Sequence, residues 1–325
     1  MISTRATSVL GVDHPVVLAG MSSGFTDAAL VAAVSEAGGL GVMGVTDLDP
    51  DGVVAAVEGV RALTTRPFGL NLLLFAAEES VDAVLATRPR VFSTAWPSPE
   101  HDLREIFGRA HEAGAVVMHM VPTLADAVSA ADAGADVIVA QGTEGGGHVG
   151  LLASVVIVPQ VARAVAPVPV LAAGGFADGA GLAAALALGA EGVLLGTRFL
   201  ATVEAPVSDG YKQALVSSDG HDAELSGVPD LLAGAIWPGA HGRVLRNRLI
   251  ERWTAREGQL RARRSELLEQ ALRARRDGDM EEAVVWAGQS AGLVVDIAPA
   301  GAIVQRIVRE AETIIRDRAE LVTGG

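Results

Sequence analysis

The run AQGTEGGGHVG, residues 140–150, ends a stretch of almost no side-chain bulk on one basic group, His148. A neutral imidazole so placed can take a proton from carbon or hydrogen-bond an oxyanion. The glycines before it, Gly146 and Gly147 among them, let the chain pass close to a planar ligand. Two further glycine sites, AAGGFADG with Gly174 and Gly175 and GTRF with Gly196 and Thr197, could offer backbone N–H groups and a hydroxyl to a phosphate. Glycine pairs also serve turn geometry alone. Asn71 stands in an otherwise apolar run, so its amide must either meet a ligand with alternating donors and acceptors or pin a neighbouring loop. Met21, Ser22, His119 and Gln141 are further adaptable or polar groups at candidate strand ends.

Much other chemistry is excluded. The chain has no cysteine, so disulfides, thiolate metal sites and thiol nucleophiles are ruled out. His14, His101, His111, His119, His221 and His241 lack metal-ligand spacing, so no metal is expected. A formal charge of −14 without a dense Lys/Arg stripe argues against nucleic acid. No apolar run suits a signal peptide or a membrane span, and a cytoplasmic location is expected.

The residues named must be held by regular elements. Short apolar runs bounded by Gly or Pro fall at 15–20, 40–44, 67–74, 90–96, 115–121, 135–141, 167–175 and 191–197. Ala-rich segments of helical period lie between them, the first with Thr26 and Gly38 as its expected caps. Eight such units predict an α/β fold, a TIM (β/α)8 barrel, with the site at the strands' C-terminal ends and phosphate after strands seven and eight. An open doubly wound sheet fits the periodicity as well. Residues 211–282 carry charged runs of helical period and no strand-like run, predicting a smaller helical insertion or cap on a barrel built from 1–210 and 283–325. The Arg/Glu runs there read as solvated helix faces.

With these segments in view the chain resembles the nitronate monooxygenases, the 2-nitropropane dioxygenase-like flavoproteins. PVVLAGM, AGGLGVMG, FGLNLL, VPTLADA, AQGTEGGGHVG, LAAGG with LGTRFLAT, GRVLRNRLIE and WAGQSAGLVVDIAPA carry the resemblance over nearly the whole chain. It implies noncovalent FMN and oxidation of alkyl nitronates, or nitroalkanes, by O2 to carbonyl compounds and nitrite. It places Gly20 and Met21 against the flavin ring, Asn71 and Gln141 on its polar edge or ribityl chain, and Gly146, Gly147 and Ala173 beside it. Gly174, Gly175, Gly196 and Thr197 would hold the phosphate, and His148 matches the family's active-site histidine. Ser22, Trp96, His119 and Gln289 are the expected substrate contacts.

Gly145, Val149 and Trp96 depart from the pattern, and Trp286 stands where a tyrosine is common, removing a hydroxyl. The NAD(P)H-dependent flavin enoyl-acyl-carrier-protein reductases have a similar glycine-histidine loop and are the alternative; Gln141 argues mildly for the monooxygenase side. Inosine-monophosphate-dehydrogenase-like chemistry lacks its cysteine here. A flavin-binding barrel without turnover is a third reading, fold alone being no guarantee of activity. The expected partners are a small nitronate or nitroalkane and O2, and one sequence leaves room for a homodimer.

Overall fold

A computed structural model describes residues 2–77, 80–237 and 239–323. Eight parallel strands arise where the apolar runs were read: β1 (Val16–Leu18), β2 (Gly41–Gly44), β3 (Phe68–Leu73), β4 (Val91–Ala95), β5 (Val116–Val121), β6 (Val137–Gln141), β8 (Val170–Ala173) and β9 (Val193–Leu195). Between β6 and β8 lies a short strand β7 (Gly147–Val149) outside this sheet. The sheet order is β1-β9-β8-β6-β5-β4-β3-β2. Leu40 N donates to Val16 O at 3.0 Å and Leu18 N to Leu40 O at 2.9 Å, which joins the two ends and closes the barrel.

Burial follows the two faces of the strands. Val17, Val42, Val91, Met118, Val137, Val139 and Leu171 fill the barrel interior, with Leu10 of the N-terminal helix Arg5–Leu10 packed among them. A second apolar layer, with Leu70, Phe92, Val117 and Ile138 on the strand side, receives the surrounding helices. The last helix, Ala300–Thr323, completes the outer ring against the helix Gly179–Ala187, where a Cβ on Gly179 would fall 2.2 Å from Glu310 Cβ.

Two local details differ from the sequence reading. The cap of the helix Ala28–Glu36 is Asp27, whose carboxylate accepts from Leu30 N at 2.9 Å. Thr26, the expected cap, instead donates to Met21 O and accepts from Gly44 N, tying the loop after β1 to β2. Residues 211–282 do hold helices, Val228–Ala233, Arg248–Trp253, Glu257–Ala262 and Arg264–Asp277, but also two strands, β10 (Ala223–Leu225) and β11 (His241–Leu245). These pair antiparallel in the order β10-β11-β7. Strands of three and five residues cannot show a period of two long enough to stand out in sequence, and the loop holding His148 becomes strand only because β11 pairs with it.

Candidate active site

At the C-terminal ends of the barrel strands lies a cavity of about 550 Å³, walled on one side by strand-end loops and on the other by the cap. Gly20, Met21, Ser22, Asn71, Trp96, Gln141, Gly146, Gly147, His148, Ala173, Gly174, Gly175, Gly196 and Thr197 all line it. Fourteen positions read from separate segments are thus brought to one place.

Strand parity accounts for the barrel side. Asn71 on β3 is paired in register with Ser93 on β4, both face the cavity, and Ser93 Oγ donates to Asn71 Oδ1 at 2.8 Å. Asn71 Nδ2 donates to Gly20 O at 3.2 Å. The amide thus pins the loop after β1, the second of the two expectations for it, and it also fronts the cavity. Gly20 has to be glycine: a Cβ would lie 2.4 Å from Asn71 Cβ. Gln141 ends β6, and its Oε1 is buried without a hydrogen-bond partner. A buried carbonyl oxygen without a donor costs free energy unless a ligand supplies one.

After β8, Gly174 and Gly175 both adopt left-handed backbone, φ +88° and +80°, and a Cβ on Gly174 would fall 2.5 Å from Gly142 O. The loop is braced from behind: Glu144 accepts from Ser154 N, and the single hydroxyl proton of Ser154 lies between Gly174 O at 2.7 Å and Glu144 Oε2 at 2.9 Å. Across from it, Thr197 opens the short helix after β9, and its hydroxyl accepts from Gly288 N at 3.0 Å. Among the described residues no carboxylate lines the cavity, a setting that suits an anionic cofactor.

His148 sits in β7 opposite Gly242 of β11. Its Nε2 lies 2.7 Å from Asp230 Oδ1, a carboxylate in the cap helix Val228–Ala233, with the two side chains 10% and 20% exposed. The carboxylate can only accept, so Nε2 carries a proton, and in the neutral ring Nδ1 is the nitrogen with the lone pair. Trp237 lies flat on the imidazole, centroids 3.5 Å apart and planes 9° apart, while Trp286 tilts over it at 5.1 Å. Trp237 also meets Phe75 and Trp96 edge-on, and Trp96 holds φ +52°, which a bulky residue rarely adopts. Sequence reasoning missed Asp230 and Trp237, which reach His148 only through the cap's folding.

Two expected substrate contacts lie elsewhere. On β5, Met120 faces the cavity, so its neighbour His119 faces the outer layer. There His119 is wholly buried against Phe107, with Nδ1 2.7 Å from Thr94 Oγ1. Burial pushes it down to about 4, so it is neutral at ordinary pH. Gln289 is exposed, its backbone N donating to Glu144 O, and the adjacent Ser290 lines the cavity instead. Among the described residues no cluster of His, Asp and Glu could hold a metal ion, and no helix is long and apolar enough to cross a membrane.

A closed (β/α)8 barrel, glycine-lined turns after its last two strands, an orphaned amide oxygen and a histidine over the same cavity define a cofactor-binding oxidoreductase of the flavin barrel class. The nitronate monooxygenase family model matches residues 3–80 and 75–310, and the chain belongs to that family. It is 33% identical to the (3aS,4S,5R,7aS)-5-hydroxy-7a-methyl-1-oxo-octahydro-1H-indene-4-carboxyl-CoA dehydrogenase of Mycobacterium tuberculosis (strain ATCC 25618 / H37Rv), with 99% of each chain covered. Among solved structures it is similar to FabK from Thermotoga maritima, with TM-score 0.88, 34% identity, and 99% of this chain and 100% of that one covered. It is also similar to nitroalkane oxidase from Streptomyces ansochromogenes, with TM-score 0.82, 27% identity, and 98% and 100% covered.

Proposed function

We propose that this chain is an FMN-dependent oxidoreductase that oxidises alkyl nitronates, and nitroalkanes after removal of their α-proton, with O2 as the terminal oxidant. The observation that carries the reading is the His148–Asp230 pair, with His148 on the wall of the strand-end cavity. Gln141 Oε1, Asn71 and the backbone of Gly20 and Met21 would meet the ring or ribityl chain, and Gly174, Gly175, Gly196 and Thr197 the phosphate. The bound flavin would supply the electron acceptor. With a nitroalkane, Asp230 holds the Nε2 proton while Nδ1 takes the α-proton; with a nitronate, already an anion, the imidazole orients an oxygen. The apolar cap wall keeps water from the reacting carbon.

A second reading is redox chemistry at the carbons next to an acyl thioester. What favours it is the apolar cap side of the cavity, with Leu232, Leu268, Leu272 and Val284, together with the carboxyl-CoA dehydrogenase named above. The same imidazole would then serve the α-carbon of the thioester.

The test is the visible spectrum of the purified protein under anaerobic conditions. On the first reading the protein is yellow, and propionate 3-nitronate bleaches it while saturated acyl-CoA and NAD(P)H do not. Bleaching by acyl-CoA or by NAD(P)H, with the nitronate inert, moves the function to thioester chemistry. A colourless protein that takes up no FMN rules out both.

A further inference from the structure

Among the described residues, one permanent cation lines the cavity. Arg275, in the cap helix Arg264–Asp277, lines the wall beside Leu268 and Leu272. Its guanidinium lies over the Phe25 ring, 3.7 Å from the centroid, and Nη2 donates to Ser23 O at 3.1 Å, which fixes the plane. Among the described residues no carboxylate forms an ion pair with it, and none lines the cavity. Its neighbours on the same helix behave otherwise: Arg273 pairs with Glu269 in solvent, and Arg263, just before the helix, pairs with Glu266. A guanidinium has five donors; one is used on Ser23, and a half-buried cation without a counter-ion is costly unless something anionic completes it. The stacked, pre-oriented fork is the geometry that receives a planar oxyanion in two parallel hydrogen bonds.

We propose that Arg275 is a specificity residue: it binds the oxyanion of an organic acid whose apolar body lies against Leu232, Leu268 and Leu272. This rests on the reading of the cavity as the site of a flavin oxidoreductase and adds the substrate class, an apolar organic anion. It also assigns the cap the task of recognising charge, while His148 serves the reacting carbon.

The test is isothermal titration calorimetry on the FMN-loaded protein with cyclohexanecarboxylate and, as its neutral counterpart, cyclohexanecarboxamide. The wild type is expected to bind the carboxylate at least about tenfold more tightly than the amide at low ionic strength, as one charge-assisted hydrogen-bonded pair provides. Arg275→Met is expected to abolish that preference without changing the affinity for the amide, and Arg275→Lys to keep part of it. No preference in the wild type, or an undiminished one in Arg275→Met, overturns the proposal. Weaker binding of FMN but not of riboflavin by Arg275→Met also overturns it, since the guanidinium would then serve the cofactor's phosphate. Should Arg275→Met fail to fold, Arg275→Lys and the loss of the wild-type preference at high salt carry the decision. Calorimetry needs no turnover, so a protein inert toward every nitronate and thioester that still prefers the carboxylate would sink the functional reading alone.

Discussion

The two walls of the cavity are built from different materials. The barrel wall is backbone and amide: glycines at strand ends, three of them, Gly147, Gly174 and Gly175, left-handed, with Asn71 and Gln141 fixed by the sheet. The cap wall is bulky and apolar, and it carries the charge: Leu232, Leu268, Trp237, Arg275, and Asp230 behind His148. Backbone groups would read features shared by every flavin, whereas the cap offers side chains whose size and charge set the shape of the opposite wall. On the proposed function, the barrel wall would bind the cofactor and the cap wall would choose the substrate. His148 stands at the junction, on a strand from the barrel side that pairs with a cap strand.

The largest effect that would test this division belongs to His148. His148→Ala is expected to lower kcat/KM for a nitroalkane by about 10²–10⁴-fold, the usual contribution of a positioned acid or base, and to act less on the preformed nitronate. Flavin content should stay at the wild-type level; steady-state kinetics on the two substrate forms, with the flavin to protein absorbance ratio, provide the check. Equal losses on both forms would make His148 a general part of the cavity wall.

His119 supplies the contrast on the barrel side, a histidine whose effect should appear in stability. Its folded-state value of about 4 lies below the ordinary 6.5, so folding favours the neutral ring. The stability it contributes is complete above about pH 6.5 and is lost as pH falls from there toward 4, by about 3 kcal/mol in all. Urea unfolding of the wild type and His119→Gln across this window should show the steeper decline in the wild type, with flavin affinity alike at pH 7. Parallel pH profiles would mean that the ring titrates alike in the folded and unfolded chains.

Gly174→Ala probes the barrel wall itself. A side chain there must adopt φ +88° and would lie 2.5 Å from Gly142 O, a strain of about 1–3 kcal/mol. The loop should shift, and FMN should bind about tenfold or more weakly while riboflavin changes less. Unchanged affinity for FMN in a fluorescence titration would take this turn out of the phosphate site.

How much of this was legible in the sequence follows the same division. The barrel strands announced themselves because buried parallel strands are short apolar runs between Gly and Pro. The glycine turns and Gln141 could be placed because they end such runs. His119 was misplaced by a rule about strand ends, although alternation with Met120 already turned it outward. The cap was legible only as charged helix. Arg275 sits among arginines that do face solvent, and Asp230 is 82 residues from its partner, so nothing local marks either. Strands β10 and β11 exist through pairing with β7, a tertiary fact.

The smallest predicted effect bears most directly on the cap. Trp237 covers one face of the His148 ring and touches Phe75 and Trp96, while the next residue toward the N-terminus, Ile236, is 84% exposed. An aromatic contact of this kind contributes about 0.5–1.5 kcal/mol beyond its buried area. Trp237→Ala should therefore change KM for bulky apolar substrates by about tenfold or less, leave FMN affinity untouched, and relax the preference between large and small substrates. If FMN affinity moved and the substrate ranking stayed, Trp237 would belong functionally to the barrel wall, and the assignment of specificity to the cap would have to rest on Arg275 and the leucines alone.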